Sequence, residues 1–301
     1  MLYKPLMKPA ELVLLEFLNT RMNLSPADKQ NYFNLKKGYE GETMFAGLTE
    51  KLQCECLILN DLLLEFNGSK FQIDSLILLQ KLFYLNEVKN FEDDCYFENK
   101  RFYLSNGTER RDPLLQLERC TSLLRQLLHS LKINTPIESR VVFMNPLFTL
   151  YQAPRTEQII FPNQVNRYLN KLNMISSKLN EGHKRLAEKL ISLHINESPY
   201  SRLPSYKYEN LRKWFTCALC TSFSISVQGK MCICGDCNHK ETVEAAVLRS
   251  VKEYRMLFPD RKITTNGIYE WCGMVVSKKR ISRILGKNFN IVGVHQWAYY
   301  E

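Results

Sequence analysis

The segment 71-FQIDSLILLQKLFYLNEVKNF-91 constrains the fold more than any other. Its apolar, β-prone residues suit a buried hairpin whose two strands, Phe71–Leu79 and Lys81–Val88, join near Gln80. Asp74, Glu87 and Lys89 are charged residues set inside it. On a strand, residues i and i+2 share a face. Glu87 and Lys89 therefore point together, and pairing of the two strands brings Asp74 beside them. Two carboxylates and an ammonium on one sheet face suit metal-assisted phosphodiester hydrolysis. Magnesium is held by one or two carboxylates plus water, and a neighbouring lysine orients water or the phosphate. The competing reading is a structural ion pair at a strand end.

The flanks point to a mixed α/β fold. Pro9 to Arg21 reads as a helix with Leu12, Leu15 and Leu18 or Phe17 on one face. Ser25-Pro26-Ala27-Asp28 starts a second helix, with Ser25 as cap. Its pattern is interrupted at Gly38/Gly41 and resumes over Glu42–Leu52. Cys54–Leu59 and Leu62–Phe66 read as separate strands with a turn at Asn60-Asp61. Asn67-Gly68 predicts a tight reversal. Tyr96–Leu104 reads as one further strand, Pro113–Leu131 as an amphipathic helix, Arg140–Met144 as a buried strand, and Gln164 to about Ile195 as a long, imperfect helix.

The runs 41-GETMFAGLTEKL-52, 58-ILNDLLL-64, 72-QIDSLILL-79 and 87-EVKNF-91 resemble, in order and spacing, the nuclease-related domain (NERD) of the PD-(D/E)xK nuclease superfamily. The resemblance covers roughly residues 36–150. It implies a mixed central sheet flanked by helices, and Mg²⁺ or Mn²⁺ as cofactor. Glu42 matches the helix-borne acid, Asp74 the metal-binding aspartate, and Glu87 and Lys89 the Glu-x-Lys pair. Gln72 fits the pattern ahead of Asp74. Pro113 and Gln116 resemble the family's Pro-x-x-Gln helix start, where the glutamine supports the site. Phe71 and Leu76–Leu79 follow the pattern only as hydrophobic type. Asn86 stands where an apolar residue is commoner and is expected on the Val88 face, away from the chemistry.

Ten cysteines occur, and five lie between Cys217 and Cys237. Cys217/Cys220 and Cys234/Cys237 are two C-x2-C pairs, which suits four thiolates on one structural Zn²⁺, with a short hairpin between them as in a zinc ribbon. Cys232 is a spare that could replace a ligand, and His239 a weaker substitute. Beyond them Glu241–Leu257 reads as a helix, a second starts at Thr264/Thr265, and Ser277 caps 278-KKRISRILGKNF-289. Lys278, Lys279, Arg280, Arg283 and Lys287 lie mostly outward on that third helix. With the β-prone 290-NIVGVHQWAYY-300 after it, the arrangement resembles a winged helix-turn-helix module that would contact DNA phosphates.

The net charge of +10 over 301 residues suits a polyanionic partner, nucleic acid first. The longest apolar runs fall short of the ~18 residues a spanning helix needs, and no signal peptide is read, so a cytoplasmic protein without a membrane partner is expected. The expected division is an N-terminal helical extension (1–35), a nuclease-like domain (36–150), a helical connection (151–198), a zinc ribbon (199–240) and a winged-helix-like module (241–301), with Asn196–Pro204 as linker. A metal-dependent nuclease acting on DNA leads. A catalytically weak or inactive DNA-binding regulator or scaffold, and an RNA-processing factor, are the alternatives. Oligomeric state is not legible.

Overall fold

The computed structural model describes residues 1–195, 202–294 and 298–301. The chain forms two compact units, Met1–Pro9 with Phe33–Ser201, and Ala10–Tyr32 with Arg202–Glu301. Residues 196–201 of the expected linker, and 295–297 of the β-prone tail, lie outside the described residues.

The first unit opens with β1 (Leu2–Lys4); α1 (Ala10–Arg21) belongs to the second unit, and α2 (Pro26–Thr49) contributes to both. Ser25 starts α2 as expected, its Oγ accepting from Asp28 N at 3.1 Å. The expected interruption at Gly38/Gly41 is absent, and the helix is continuous. A glycine inside a helix costs about 1 kcal/mol relative to alanine, which burial of Phe45 and Ala46 outweighs.

β2 (Leu57–Phe66), β3 (Ser69–Leu78) and β4 (Phe83–Lys89) form an antiparallel meander. Asn67 (φ 48°) and Gly68 (φ 72°) make the expected tight turn. Asn60-Asp61 is not a turn: β2 runs straight through it. Tyr96–Leu104 is not one strand but a hairpin of β5 (Cys95–Glu98) and β6 (Arg101–Leu104), reversed at Asn99 and Lys100, both at positive φ. β7 (Glu109–Arg110) extends it. In α3 (Pro113–Ser130), Asp112 caps Leu114 N at 2.8 Å and Pro113 takes the first position. The chain then adds β8 (Ile137–Phe143), β9 (Leu150–Tyr151) and β10 (Ile159–Ile160). The expected long helix is two, α4 (Val165–Asn173) and α5 (Glu181–Ser192). Ser177 between them bonds Glu55 O and Gln80 N, and Asn180 caps α5, so side chains satisfy backbone groups that a continuous helix would use.

The main sheet has the order β1-β2-β3-β4-β8-β10, with β1, β8 and β10 joined in parallel. One face packs on Leu117 and Leu124 of α3 and Leu186 and Leu190 of α5. The other packs on Phe45 of α2 and on Val165, Tyr168 and Leu172 of α4. This is the expected mixed sheet flanked by helices. β8 is buried on both sides, hence its run Val141-Val142-Phe143 without polar alternation.

The second unit holds a three-stranded sheet, β11 (Ile225–Gln228), β12 (Met231–Cys234) and β13 (Lys240–Thr242). Helices α6 (Val243–Leu257), α7 (Thr265–Trp271) and α8 (Lys278–Asn288) follow, then β14 (Ile291–Val292) paired with β15 (Tyr299–Tyr300). Leu18, Leu24, Phe215, Tyr254 and Trp271 share its core. Arg21 of α1 is buried there and meets Glu253 through two 2.6 Å bonds. Removing either partner of such a pair costs about 3–5 kcal/mol, because the other charge is left buried.

Candidate functional site

Glu87 and Lys89 project from the C-terminal end of β4, on the face that carries Phe83 and Leu85 into the core beside α3. Lys89 Nζ donates to Glu87 Oε1 at 2.6 Å and to Gln116 Oε1 at 3.3 Å. The Gln116 amide also donates to Glu87 Oε1. Gln116 stands in the first turn of α3, which Asp112 and Pro113 fix. Glu87 is 1 % exposed, and its Oε2 has no hydrogen-bond partner. A buried carboxylate oxygen left without a donor is costly unless a cation or water meets it.

Asp74 sits where the β2–β3 ladder opens. Pairs run from Leu57↔Leu78 to Asn60↔Ser75 and resume at Leu62↔Ile73, skipping Asp61 and Asp74 alike. Each strand thus carries one extra residue at the same level. Register is kept, while the core-facing set shifts from Leu57/Leu59 to Leu62/Leu64 and from Phe71/Ile73 to Leu76/Leu78. Asp61 takes the left-handed conformation (φ 52°), which aspartate tolerates better than most residues. Lys4 Nζ donates to the carbonyls of Asn60 and Asp61 at 2.9 and 2.6 Å. Asp74 Oδ2 accepts from Val88 N at 2.7 Å, tying the aspartate to the residue between Glu87 and Lys89.

Glu42 reaches the site from α2. Gly41 beside it lies so near Asn90, next to Lys89, that a Cβ there would stand 2.5 Å from the Asn90 Cβ. Asn90 Nδ2 also donates to Lys37 O at 2.8 Å. Glu42 is pushed up to about 7 by burial, then by the charges of Asp61 and Glu87. Asp74 is raised by burial, then by Glu87 and Glu42. Burial opposes the charge on Lys89, but Glu87 and Asp74 outweigh it and raise its pKa, so it stays an ammonium.

Of the residues expected at this site, Glu42, Asp74, Glu87, Lys89 and Gln116 come together. Gln72 is exposed and reaches the group through Asp61, to whose Oδ1 its Nε2 donates at 2.9 Å. Asp61 is the neighbour that sequence reasoning missed. Its signal was a charged residue inside a run of leucines. Asn86 lies on the opposite face as expected, buried and accepting from the Tyr168 hydroxyl at 2.7 Å. The residues fit a hard cation: Glu87 offers an unpartnered oxygen, and Asp74 and Glu42 supply further anionic oxygens in surroundings that penalise their bare charge. Among the described residues, these carboxylate oxygens do not all lie within 4.8 Å of one another.

A second donor set does. Cys217, Cys220, Cys234 and Cys237 place all four Sγ atoms within 4.8 Å, the one such group among the described residues. Cys217–Cys237 and Cys220–Cys234 stand at 3.5 and 3.6 Å. Four thiolates at ~2.3 Å from a tetrahedral zinc would be about 3.8 Å apart. Leu219 N donates to Cys217 Sγ, and Gly235 N to Ser224 O at 2.7 Å. A side chain at Gly235 would strike Ser224 Oγ at 2.6 Å. Backbone N–H groups at Cys237 and Asp236 draw the Cys234 thiol down to about 7. Cys232 is not in the set; it is buried in the apolar core of its unit. His239 serves through its carbonyl, which accepts from Cys234 N at 3.0 Å.

The five expected cations of α8 differ in use. Arg280 donates to Gly229 O at 2.7 Å, Lys287 pairs with Glu244 at 2.9 Å, and Lys278 lies over the Tyr269 ring. Lys279 and Arg283 are exposed and line a cleft with Lys230. Among the described residues, no helix is long and apolar enough to cross a membrane.

Residues 37–144 match the family model of the nuclease-related domain, NERD, which covers every residue of the acidic site and bears out the resemblance read from the sequence. No curated protein and no solved structure matches the chain.

Proposed function

We propose that the chain is a metal-dependent phosphodiesterase of the nuclease type, acting on DNA. The observation that carries this reading is the buried, unpartnered Glu87 Oε2 beside Asp74 and a charged Lys89. Asp74 and Glu87 would hold Mg²⁺ or Mn²⁺, and Glu42 would complete or support the shell. Such an ion makes bound water a nucleophile at neutral pH and neutralises charge developing on the phosphate. Lys89, held by Glu87 and Gln116, has protons to donate to a phosphate oxygen or the attacking water, and being an ammonium it does not act as a base. Attack of water on phosphorus forms one P–O bond and breaks another, and the water's proton leaves with the departing alkoxide. Zn²⁺ held by the four cysteines would be structural, since four thiolates would leave no open position. Cations of α8, in a module of winged-helix kind, hold the DNA. Unpaired cysteines fit the reducing cytoplasm.

The test incubates wild type and Asp74→Ala with duplex, single-stranded and branched DNA and with RNA, each with Mg²⁺ or Mn²⁺. Cleavage by wild type alone is expected. Equal cleavage by both, or none, overturns the assignment.

A further inference from the structure

The second unit carries a cleft of about 500 Å³ lined by Lys230, Lys279, Arg280 and Arg283, with Glu244 at its side. Its two walls come from different elements. One is the turn Gly229-Lys230 between β11 and β12, fixed by Gly229 at φ 57° and by the pair Gln228↔Met231. The other is α8, where Lys279 and Arg283 are one helical turn apart and so share a face. The turn is held at two points. Arg280 donates to Gly229 O at 2.7 Å, and Lys230 O accepts from Val243 N at 2.9 Å. Arg280 thus serves as the hinge pin of the cleft and keeps its charge there. Glu244 does not cancel the field, because Lys287 and Asn288 already bind its carboxylate.

We infer that the β11–β12 turn and α8 form one clamp for the phosphate backbone of duplex DNA, with Lys230, Lys279 and Arg283 as its contacts. The inference rests on the reading that the chain acts on nucleic acid, and goes beyond it by joining the cysteine-rich sheet to the helix as a single binding surface. Three exposed cations facing a common cleft suit an oxygen-rich polyanion rather than an apolar ligand. DNA is favoured over duplex RNA because α8, as a helix about 10–12 Å across, would fit a major groove about 12 Å wide, whereas the A-form major groove is too narrow and deep.

The test uses the full chain carrying Asp74→Ala, so that bound DNA is not cut. Duplex DNA binding is followed by fluorescence anisotropy across a KCl series for Lys230→Gln, Lys279→Gln, Arg283→Gln and the triple variant. Lys207→Gln/Lys252→Gln, which removes exposed cations outside the cleft, is the control. Each cleft substitution should lower the salt slope by about 0.9 and weaken binding roughly eightfold at 0.1 M KCl, and the triple variant should lower the slope by about 2.7 and weaken binding about 500-fold. Unchanged zinc content and circular dichroism exclude misfolding. A triple variant that binds like the control, a parent chain that does not bind duplex DNA, or equal affinity for duplex RNA overturns the clamp. Hydrolysis of bis(4-nitrophenyl) phosphate by chains with Asp74 intact is measured apart. Lost binding in the triple variant without any hydrolysis would uphold the clamp and sink the nuclease reading; hydrolysis with unaltered binding would do the reverse.

Discussion

Gly41 and Asn90 approach so closely that a Cβ on Gly41 would fall 2.5 Å from the Asn90 Cβ, while a Cβ on Gly47 of the same helix meets nothing within 4 Å. The two positions should respond with opposite sign to alanine. Gly47→Ala should stabilise the chain by about 0.5–1 kcal/mol through helix propensity. Gly41→Ala should destabilise it by about 1–3 kcal/mol, the usual cost of overpacking. It should also weaken Mg²⁺ binding, because α2 carries Glu42. Thermal melts with and without Mg²⁺ read both effects.

Lys89 balances the charge of Glu87 and Asp74, so its loss should separate binding from turnover. Lys89→Met leaves the carboxylates less compensated. Metal affinity should hold or tighten, while cleavage falls about 10²–10³-fold, as when a transition-state donor is removed. Calorimetric titration with Mg²⁺, run beside the cleavage assay, checks the split. Parallel loss of both would show that Lys89 only holds the site together.

The Glu-x-Lys pair and the four cysteines were legible because their geometry is local. Strand period fixes the first and knuckle spacing the second. Asp61 was not, because Asn-Asp between leucine runs is ordinary turn chemistry. What carries β2 straight through is the resumed pairing of Leu62 with Ile73 and the ammonium of Lys4, both distant in sequence. The Asn99-Lys100 reversal was hidden for a related reason, since it reaches positive φ without a glycine. The place of α1 in the second unit depends on Arg21 meeting Glu253, 232 residues away, which no periodicity encodes.

Asp61 can be tested through its backbone and its charge separately. Asp61→Asn keeps a residue that tolerates φ 52°, so the local gap in the β2–β3 pairing should survive. Glu42 loses the largest charge raising its pKa, and that pKa should drop. Asp61→Val forces a β-branched residue into the left-handed region and should cost about 1–2 kcal/mol. Urea unfolding separates the two variants, and the Glu42 titration followed by carboxyl-labelled NMR reads the charge effect.

The Glu42 shift also sets a pH dependence with a definite sign. An unfolded glutamate ionises near 4.5, while the folded one keeps its proton to about 7 without metal. The folded state therefore binds more protons between those values, and its stability falls as pH rises through that window. A divalent cation removes the penalty by favouring the ionised form. Mg²⁺ should raise Tm more at pH 8 than at pH 5, and its binding near pH 6 should release protons. Glu42→Gln should flatten both responses. Melting curves across pH, and calorimetry in buffers of different ionisation enthalpy, measure them.

Cys220 and Cys232 should part company in the cysteine-rich sheet. Cys220 stands 3.6 Å from Cys234 within the four-thiol set, while Cys232 is 1 % exposed in an apolar core. Cys220→Ser removes one of the four donors, and structural zinc sites supply about 10–16 kcal/mol of folding free energy. That variant should lose its zinc and the order of β11–β13. Cys232→Ala keeps all four donors and leaves only a small cavity, so one zinc per chain should remain and Tm should drop slightly. Elemental analysis of chelator-free protein, paired with melts, decides it. Zinc retained in Cys220→Ser, or lost in Cys232→Ala, would reassign the ligands.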